Sequence, residues 1–259
     1  MSMLVIEVLH EGLIFGADRN ITTWRGDGTT RQESQFSKVL TWPHGKCLFG
    51  FVGAAQMGDL TMIDWLDAIK DDFREIDSLG VIAGELYKKV QMQRDKDDAH
   101  KSPEPLIIHI GGYEKKDAFW IPVVWVIRNT HRMGHFDYLD ITHEFCCTEV
   151  FRTSDLVKDI DPSEIRRFLK VLAKQFRPFW FHQGLDLLTF NVLQGAVKSA
   201  FRLLCEQHPN HGIPSTLHEW EKHVKMQVLM YGAYFEAFGL EGQKFVGGGV
   251  DVVSTPWPE

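Results

Sequence analysis

The sequence predicts an α+β protein in which two β-sheets are sandwiched between layers of helices. Two observations support this fold class: the apolar pattern changes between the period of a strand and that of a helix, and the elements follow the order strands, two helices, strands, helices, strand. Neither an internal repeat nor a low-complexity linker divides the chain. Residues 1–259 are therefore predicted to form a single domain, which is long enough for a sizeable core.

The N-terminal part of the chain predicts two pairs of strands. Runs of alternating or continuous apolar residues span 4–9, 13–17, 38–42 and 46–52. The turns within the two pairs are predicted at His10-Glu11-Gly12 and at Pro43-His44-Gly45. Residues 20–35 are polar and rich in turn-forming residues, so they predict a surface loop between the pairs.

The rest of the chain alternates between helix and strand patterns. Helices are predicted at about 60–76, 79–93, 162–175, 184–206 and 216–238. Strands are predicted at about 106–111, 119–127, 135–151 and 249–254. The charged run at 94–98 is predicted to be a solvated loop, and the aromatic cluster at 176–181 a subunit contact or a packed insertion.

Composition excludes several kinds of partner. The formal net charge is −7, so no basic excess indicates binding to nucleic acid or to an anionic membrane. No apolar span approaches the roughly 20 residues of a membrane-crossing helix, and no secretory signal is recognised. The four cysteines lack the spacing of metal or redox motifs, which predicts reduced thiols and a cytoplasmic protein.

The histidines do not predict a metal site. His218 and His223 are five positions apart, whereas a zinc-binding helix uses a spacing of four. His143 and the adjacent Cys146-Cys147 would be divided between the two faces of a strand. We therefore expect neither a metal nor a cofactor.

The first residues indicate a candidate nucleophile. Met1 precedes the small residue Ser2, which is a usual context for removal of the initiator methionine. After that removal Ser2 presents both a hydroxyl and an α-amine, whose pKa of about 7.7–8.0 suits a base near neutral pH. An N-terminal amine is the activating base of nucleophiles of the N-terminal threonine type.

Three segments resemble one known family. "GLIFGADRN" is similar to the second strand of proteasome-type N-terminal nucleophile (Ntn) hydrolases, and "SKVLTWPHGKCLFGFVGAAQMGDLTMIDWLDAIKDDF" resembles their lysine strand, glycine turn and first helix. "FVGGGVDVVSTP" resembles a closing strand of bacterial relatives. The likeness is nearest to the HslV peptidase and to bacterial proteasome-like proteins, and it covers residues 1 to about 76 best, while about 129–182 looks inserted or diverged.

The resemblance implies an αββα Ntn-hydrolase sandwich that cleaves peptide or other amide bonds. It assigns Ser2 as the nucleophile, Lys38 as the cation beside its oxygen and Asp18 as the residue that orients Lys38. Backbone N–H groups of the turn containing Gly50, Val52 and Gly53 would form the oxyanion hole. The separations from Ser2 to Asp18 and from Lys38 to Gly50, sixteen and twelve positions, are those of the family.

The resemblance also leaves alternatives open. "FHQGLD" puts Gln183 or His182 where the family has an accessory serine, and Ser2 replaces the usual threonine. A catalytically inactive homologue that serves as an oligomeric assembly or binding scaffold is the main alternative. An amidase for a small metabolite is a third possibility. The resemblance alone implies a homo-oligomer, with a ring as one form of assembly.

Overall fold

The computed structural model describes residues 3–24, 30–42, 47–97, 104–132, 139–175, 179–183, 212–238 and 247–259, with seven further positions between 195 and 207. Over these residues the protein is α+β, with two main antiparallel sheets and several helices. The chain divides into two compact units. One comprises Met1–Val39, Glu164–Trp257 and Glu259, and the other comprises Leu40–Ser163 and Pro258.

The described strands and helices follow one another along the chain in the predicted overall order. The strands are β1 Leu4–Val8, β2 Gly12–Asp18, β3 Asn20–Trp24, β4 Thr30–Gln35, β5 Val39–Trp42, β6 Cys47–Gly53, β7 Gln56–Met57, β8 Leu60–Thr61, β9 Leu106–Lys116, β10 Phe119–Arg132, β11 Leu139–Glu149, β12 Phe179–Gln183 and β13 Val250–Pro256. The helices are α1 Met62–Ile69, α2 Leu79–Asp97, α3 Pro162–Lys174 and α4 Leu217–Phe238, and a 3₁₀ turn Lys70–Phe73 follows α1.

The first unit is built on a four-stranded sheet in the order β12-β1-β2-β13, with antiparallel neighbours throughout. Helix α4 packs on this sheet because its apolar residues recur at spacings of four, four and three. The buried cluster between them consists of Met3, Val5, Leu9, Ile14, Ala173, Trp220, Val224, Val228 and Tyr231. Ala173 belongs to α3, so both helices contribute to this core.

A buried polar cluster interrupts the apolar contact between β1 and α4. The Glu7 side chain is fully buried, and its Oε1 accepts a hydrogen bond of 2.7 Å from Gln227 Nε2. His223 Nε2 lies 3.9 Å from the same oxygen, and the His223 ring packs edge-on against Trp220. Burial lowers the pKa of His223 to about 4, so this imidazole is neutral at physiological pH.

The second unit contains a five-stranded sheet in the order β11-β10-β9-β6-β5. Helix α2 packs against β9, β10 and β11, where Gly80 lies close to the Trp125 ring. Gly53, at the end of β6, has φ of 100°, and a Cβ there would lie 2.0 Å from the Pro105 carbonyl oxygen. Only glycine fits this bend, where Ala54 donates to the Pro105 carbonyl at 2.7 Å.

Two predicted loops are wrong. Residues 20–35 contain the hairpin β3–β4 instead of an irregular surface loop. The charged run at 94–98 is helical as far as Asp97, and Arg94 is only 7% exposed. The Arg94 guanidinium reaches the Gln56 carbonyl at 3.4 Å, so the charged head of this residue is bonded to the protein and not solvated.

Other boundaries differ for identifiable reasons. The first helix starts at Met62 and not at residue 60, because Leu60 and Thr61 form β8 and the Thr61 hydroxyl caps the helix by accepting from the Asp64 N–H. Strand β12 was not predicted. Most of the helix predicted at 184–206 lies outside the described residues, and the described positions within it are helical.

Several predictions about organisation remain predictions. The segment at 129–182 holds the end of β10, then β11, α3 and most of β12. The insertion at this segment, the single domain and the αββα stacking of the layers stay predictions. In the part of the chain that the structure describes, no helix is long and apolar enough to cross a membrane.

Candidate functional site

Four strand ends meet at one end of the first sheet. In the antiparallel registers, Leu4 at the start of β1 lies opposite Ala17 of β2 and opposite Gln183 of β12. Val250, the first residue of β13, lies opposite Asp18. The sheet therefore gathers the starts of β1 and β13 and the ends of β2 and β12 in one place.

Asp18 and Lys38 form a buried ion pair at this end of the sheet. Lys38 Nζ lies 3.0 Å from Asp18 Oδ1, and the two side chains are 1% and 0% exposed. The ammonium also donates to the Asn20 carbonyl oxygen. An ammonium has three N–H donors, so among the described residues Lys38 has two acceptors and one donor to spare.

Backbone N–H groups complete the shell of the Asp18 carboxylate. Met3 N–H donates to Oδ1 at 2.8 Å, and Asn20 N–H donates to Oδ2 at 3.1 Å. The N–H of Gly247 is a further donor to this carboxylate. The start of β1 is thus tied to the same oxygen atom that holds the lysine.

Burial and pairing act in opposite directions on the charges of the pair. Burial raises the pKa of the Asp18 carboxyl, and the Lys38 charge and the N–H donors oppose that shift. Burial likewise lowers the pKa of Lys38, and Asp18 opposes that shift. Mutual attraction and the surrounding donors therefore favour the charged form of the pair, whereas burial favours the neutral form.

A glycine loop encloses the pair from the side of β13. Gly247, Gly248 and Gly249 have φ values of 156°, 72° and 99°, which L side chains rarely adopt. The Gly247 carbonyl accepts from both the Arg19 and Asn20 N–H groups. A Cβ on Gly247 would lie 2.9 Å from the side-chain nitrogen of Asn20, so glycine also permits the close approach.

A second polar network lies beside the buried pair and uses its sequence neighbours. Arg19, next to Asp18, forms a two-pronged ion pair with Asp251, in which Nε lies 2.8 Å from Oδ2. The Ser37 hydroxyl, next to Lys38, has two acceptors within reach, the Asp251 carboxylate and the Val39 carbonyl at 2.7 Å. Hydrogen bonds from Arg19 and Ser37 lower the pKa of Asp251.

The structure brings together only part of the predicted site. Asp18 and Lys38 are in contact, whereas Ser2 lies outside the described residues. The backbones of His182 and Gln183 run opposite Val5 and Leu4, but their side chains lie outside the described set. The catalytic assignments of all these residues therefore stay predictions.

The predicted oxyanion residues belong to the second unit. Gly50 and Val52 lie within β6, opposite His109 and Ile107 of β9, and the strand continues to Gly53. The strand predicted at 46–52 is confirmed, whereas the turn that the resemblance implied over Gly50–Gly53 is limited to the bend at Gly53. The proposed oxyanion role of the segment stays a prediction.

Sequence reasoning missed several residues of this site. Asn20, Arg19, Ser37 and Asp251 each bond to the buried pair or to its sequence neighbours. The available signal was the triplet Gly247–Gly249, since three consecutive glycines before a strand indicate a backbone that other groups approach closely. In the described residues, no group of histidine, cysteine or acidic side chains is arranged to hold a metal.

No protein-family model matches the chain, and no curated protein matches it. Among solved structures, Anbu (ancestral beta-subunit) from Yersinia bercovieri matches with a TM-score of 0.47 and 13% identity, covering 99% of this chain and 82% of that one. An Anbu (Gly-1) mutant from Hyphomicrobium sp. strain MC1 matches with a TM-score of 0.46, 13% identity and the same coverage.

These findings correct the family assignment made from the sequence. The resemblance to proteasome-type Ntn hydrolases, nearest to the HslV peptidase, predicted membership of that family. No family model matches, and the matching solved structures named above are Anbu proteins with TM-scores below 0.5 and 13% identity. The assignment is therefore wrong as made, and the chemistry of the site must be argued from its own residues.

Proposed function

We propose that this protein is an N-terminal-serine hydrolase that cleaves peptide or other amide bonds after Met1 has been removed. The observation that carries the proposal is the bond from Met3 N–H to Asp18 Oδ1, the oxygen that also holds Lys38. The nitrogen of Met3 is bonded to the carbonyl carbon of Ser2. The start of β1 is therefore bonded to the carboxylate that also holds a buried ammonium.

The chemistry follows from the groups gathered there. The Ser2 hydroxyl oxygen attacks the carbonyl carbon of an amide, and its proton passes to the α-amine of Ser2. The Lys38 ammonium favours the neutral form of that amine and stabilises the developing negative charge on the serine oxygen. Asp18 fixes the position of Lys38, with which it forms the 3.0 Å ion pair.

The reaction proceeds in two stages. Collapse of the tetrahedral intermediate breaks the carbon–nitrogen bond, and the protonated α-amine gives its proton to the departing amine. The acyl group remains on the Ser2 oxygen as an ester. Water, deprotonated by the same α-amine, then hydrolyses this ester and restores the free serine.

Intact mass of the purified protein tests the first requirement, because the proposal needs quantitative loss of Met1. Incubation with a peptide β-lactone should then add the mass of one inhibitor, and peptide mapping should locate it on Ser2. Ser2→Ala is the matched control, since alanine also permits removal of Met1 but has no hydroxyl. Retained Met1, or an adduct of equal yield on Ser2→Ala, would overturn the proposal.

The non-catalytic scaffold is a second candidate, and the complete burial of the ion pair favours it. Asp18 and Lys38 are 0% and 1% exposed, and their other partners are backbone groups, as expected of a structural ion pair. A protein that has lost Met1 yet forms no adduct and cleaves no amide substrate would support this alternative.

We further propose that the protein is a homo-oligomer. The outer face of α4 supports this, because Met226, Leu229 and Met230 are 42%, 50% and 39% exposed at adjacent helical positions. Light scattering coupled to gel filtration should give a mass that is a multiple of one chain. A monomer at micromolar concentration would contradict it.

A further inference from the structure

We propose that Arg19, Asp251 and Ser37 form a positioning network that holds the Lys38 ammonium in place for catalysis. This inference rests on the proposed function, and it assigns a role to three residues that do not themselves touch the reacting atoms. All three residues and the Asp18–Lys38 pair belong to the first unit.

The network is attached to both members of the buried pair through the backbone. Arg19 directly follows Asp18, and Ser37 directly precedes Lys38. Asp251 lies between them: it pairs with the Arg19 guanidinium, and it is within hydrogen-bonding reach of the Ser37 hydroxyl. One carboxylate on β13 therefore links the chain on either side of the Asp18–Lys38 contact.

The Ser37 end of the network determines where the lysine backbone lies. The Ser37 hydroxyl donates to the Val39 carbonyl at 2.7 Å and lies 3.4 Å from the Val39 nitrogen. These contacts join the residues on either side of Lys38. A serine that bonds the backbone two residues ahead of itself fixes a local turn. The Lys38 side chain leaves the chain from the middle of that turn.

The Arg19 end is fixed by its backbone as well as by its side chain. The Arg19 N–H donates to the carbonyls of Gly247 and Gly249, each at 3.1 Å. The guanidinium is a planar fork that matches a carboxylate at two points, which a lysine would not do. Asp251 is thus held in one orientation from which it can reach Ser37.

The position of the Lys38 ammonium matters because it acts on the Ser2 α-amine through electrostatic interaction and not through a covalent bond. A misplacement of about 1 Å in a reacting constellation can cost on the order of a hundredfold in rate. When the Lys38 ammonium moves away from the Ser2 α-amine, the amine loses a neighbouring positive charge. The pKa of the amine then rises towards the ordinary α-amine value of about 7.7–8.0.

The test measures the rate of β-lactone acylation of Ser2 as a function of pH in the full-length protein. Asp251→Asn and Ser37→Ala should each slow acylation at pH 7 by about tenfold or more and shift the midpoint of the pH–rate profile upward. Ser37→Thr keeps a hydroxyl group, so its acylation rate at pH 7 and its midpoint should be close to those of the unmodified protein. Arg167→Gln, which removes an exposed ion pair with Glu164 on α3, is the matched control.

A merely structural role would change the folded fraction and leave the midpoint unmoved, so an unchanged midpoint in both variants overturns the proposal. Labelling of Lys38 by an amine-reactive reagent, read by peptide mapping, provides a readout that does not need catalysis. Lys38 should react faster in Asp251→Asn than in the unmodified protein, and equal labelling rates overturn the positioning role. Failure of the proposed function has a different signature, namely no Ser2 adduct in the unmodified protein.

Discussion

Two carboxylates of the same sheet are completely buried, yet they are satisfied in different ways. Asp18 contacts an ammonium, and its remaining bonds come from backbone N–H groups. Glu7 receives an amide hydrogen bond from Gln227 and lies 3.9 Å from His223, so side chains from α4 surround it. Asp18 contacts the lysine ammonium, whereas Glu7 contacts an amide and lies near an imidazole that is neutral at physiological pH.

Position explains the difference. Asp18 is the last residue of β2, at the end of the sheet where four strand termini meet. Glu7 lies inside β1, beneath α4, in the middle of an apolar contact. The Asp18 carboxyl group at the strand end can contact a group from another segment of the chain. The Glu7 carboxyl group lies beneath α4, so it is positioned to contact side chains of that helix. Four experiments test this contrast, in order of expected effect.

The largest effect is expected from Lys38→Met, which keeps an unbranched side chain but removes the ammonium. It should lower the free energy of unfolding by about 3–5 kcal/mol, because Asp18 would remain as a buried charge without its cation. Urea denaturation at pH 7 measures this loss. The double variant Asp18→Asn/Lys38→Met should recover much of it, and a single variant that loses less than about 1 kcal/mol would contradict the assignment of a charged pair.

The next largest effect is a pH dependence of the stability, caused by His223 beside Glu7. The pKa of His223 falls from 6.5 to about 4 on folding, so between these values the unfolded chain binds a proton that the folded one does not. Stability contributed by the neutral imidazole is therefore present above pH 6.5 and is lost, by about 3 kcal/mol, as the pH falls to 4.

His223→Gln should remove that share of the acid sensitivity. Unfolding free energies measured between pH 7 and pH 4 should fall less steeply in His223→Gln than in the unmodified protein. His10 and His109, whose pKa values burial also lowers, to about 4 and about 3, contribute equally to both proteins and cancel in the comparison. Identical pH profiles would mean that His223 does not titrate differently on folding.

A smaller effect is expected from Gln227→Leu, which takes the amide donor away from Glu7. The cost should be about 1–3 kcal/mol, the usual penalty for removing one partner of a buried hydrogen bond. Replacing both partners in Glu7→Leu/Gln227→Leu should be closer to neutral, because the donor and the acceptor of this hydrogen bond are then removed together. Chemical denaturation of the single and double variants decides this, and strictly additive losses would contradict it.

The smallest effect is expected from Gly247→Ala, at the loop that encloses Asp18. The cost should be about 1–2 kcal/mol, from an unfavourable φ and from the approach of the new Cβ to Asn20. Gly84→Ala is the control, because it lies in α2 with no atom within 4 Å of the added Cβ and should stabilise the helix slightly. Thermal unfolding of both variants gives the comparison, and equal shifts of the same sign would refute the close-packing argument.

The sequence predicted the regular elements well where their apolar residues form a clear pattern. The periodicity of α1 and α4 follows from burial on one side of each helix, and the apolar runs of β1 and β2 follow from burial on both faces of each strand. The hairpin β3–β4 was missed because the residues of its two strands, NITTW and TRQESQ, are largely polar, which is typical of a loop. Strand β12 was missed because a continuous aromatic run has no period to read.

The candidate site was predictable only in part. Asp18 and Lys38 were named from the sequence, and the structure puts them in contact. The contributions of Asn20 and Gly247 are made by backbone N–H groups, which every residue type except proline possesses. Asp251 bonds to Arg19 across 232 positions of sequence, and no local pattern encodes a contact of that separation.

The bond between Met3 and Asp18 has a practical consequence for handling the protein. Met3 is only 2% exposed, and its N–H is held by a carboxylate that also holds a buried lysine. An affinity tag fused ahead of residue 3 would be attached to this buried residue, and it would abolish the free amine that the proposed reaction requires. Glu259 is exposed, so a purification tag belongs after that residue.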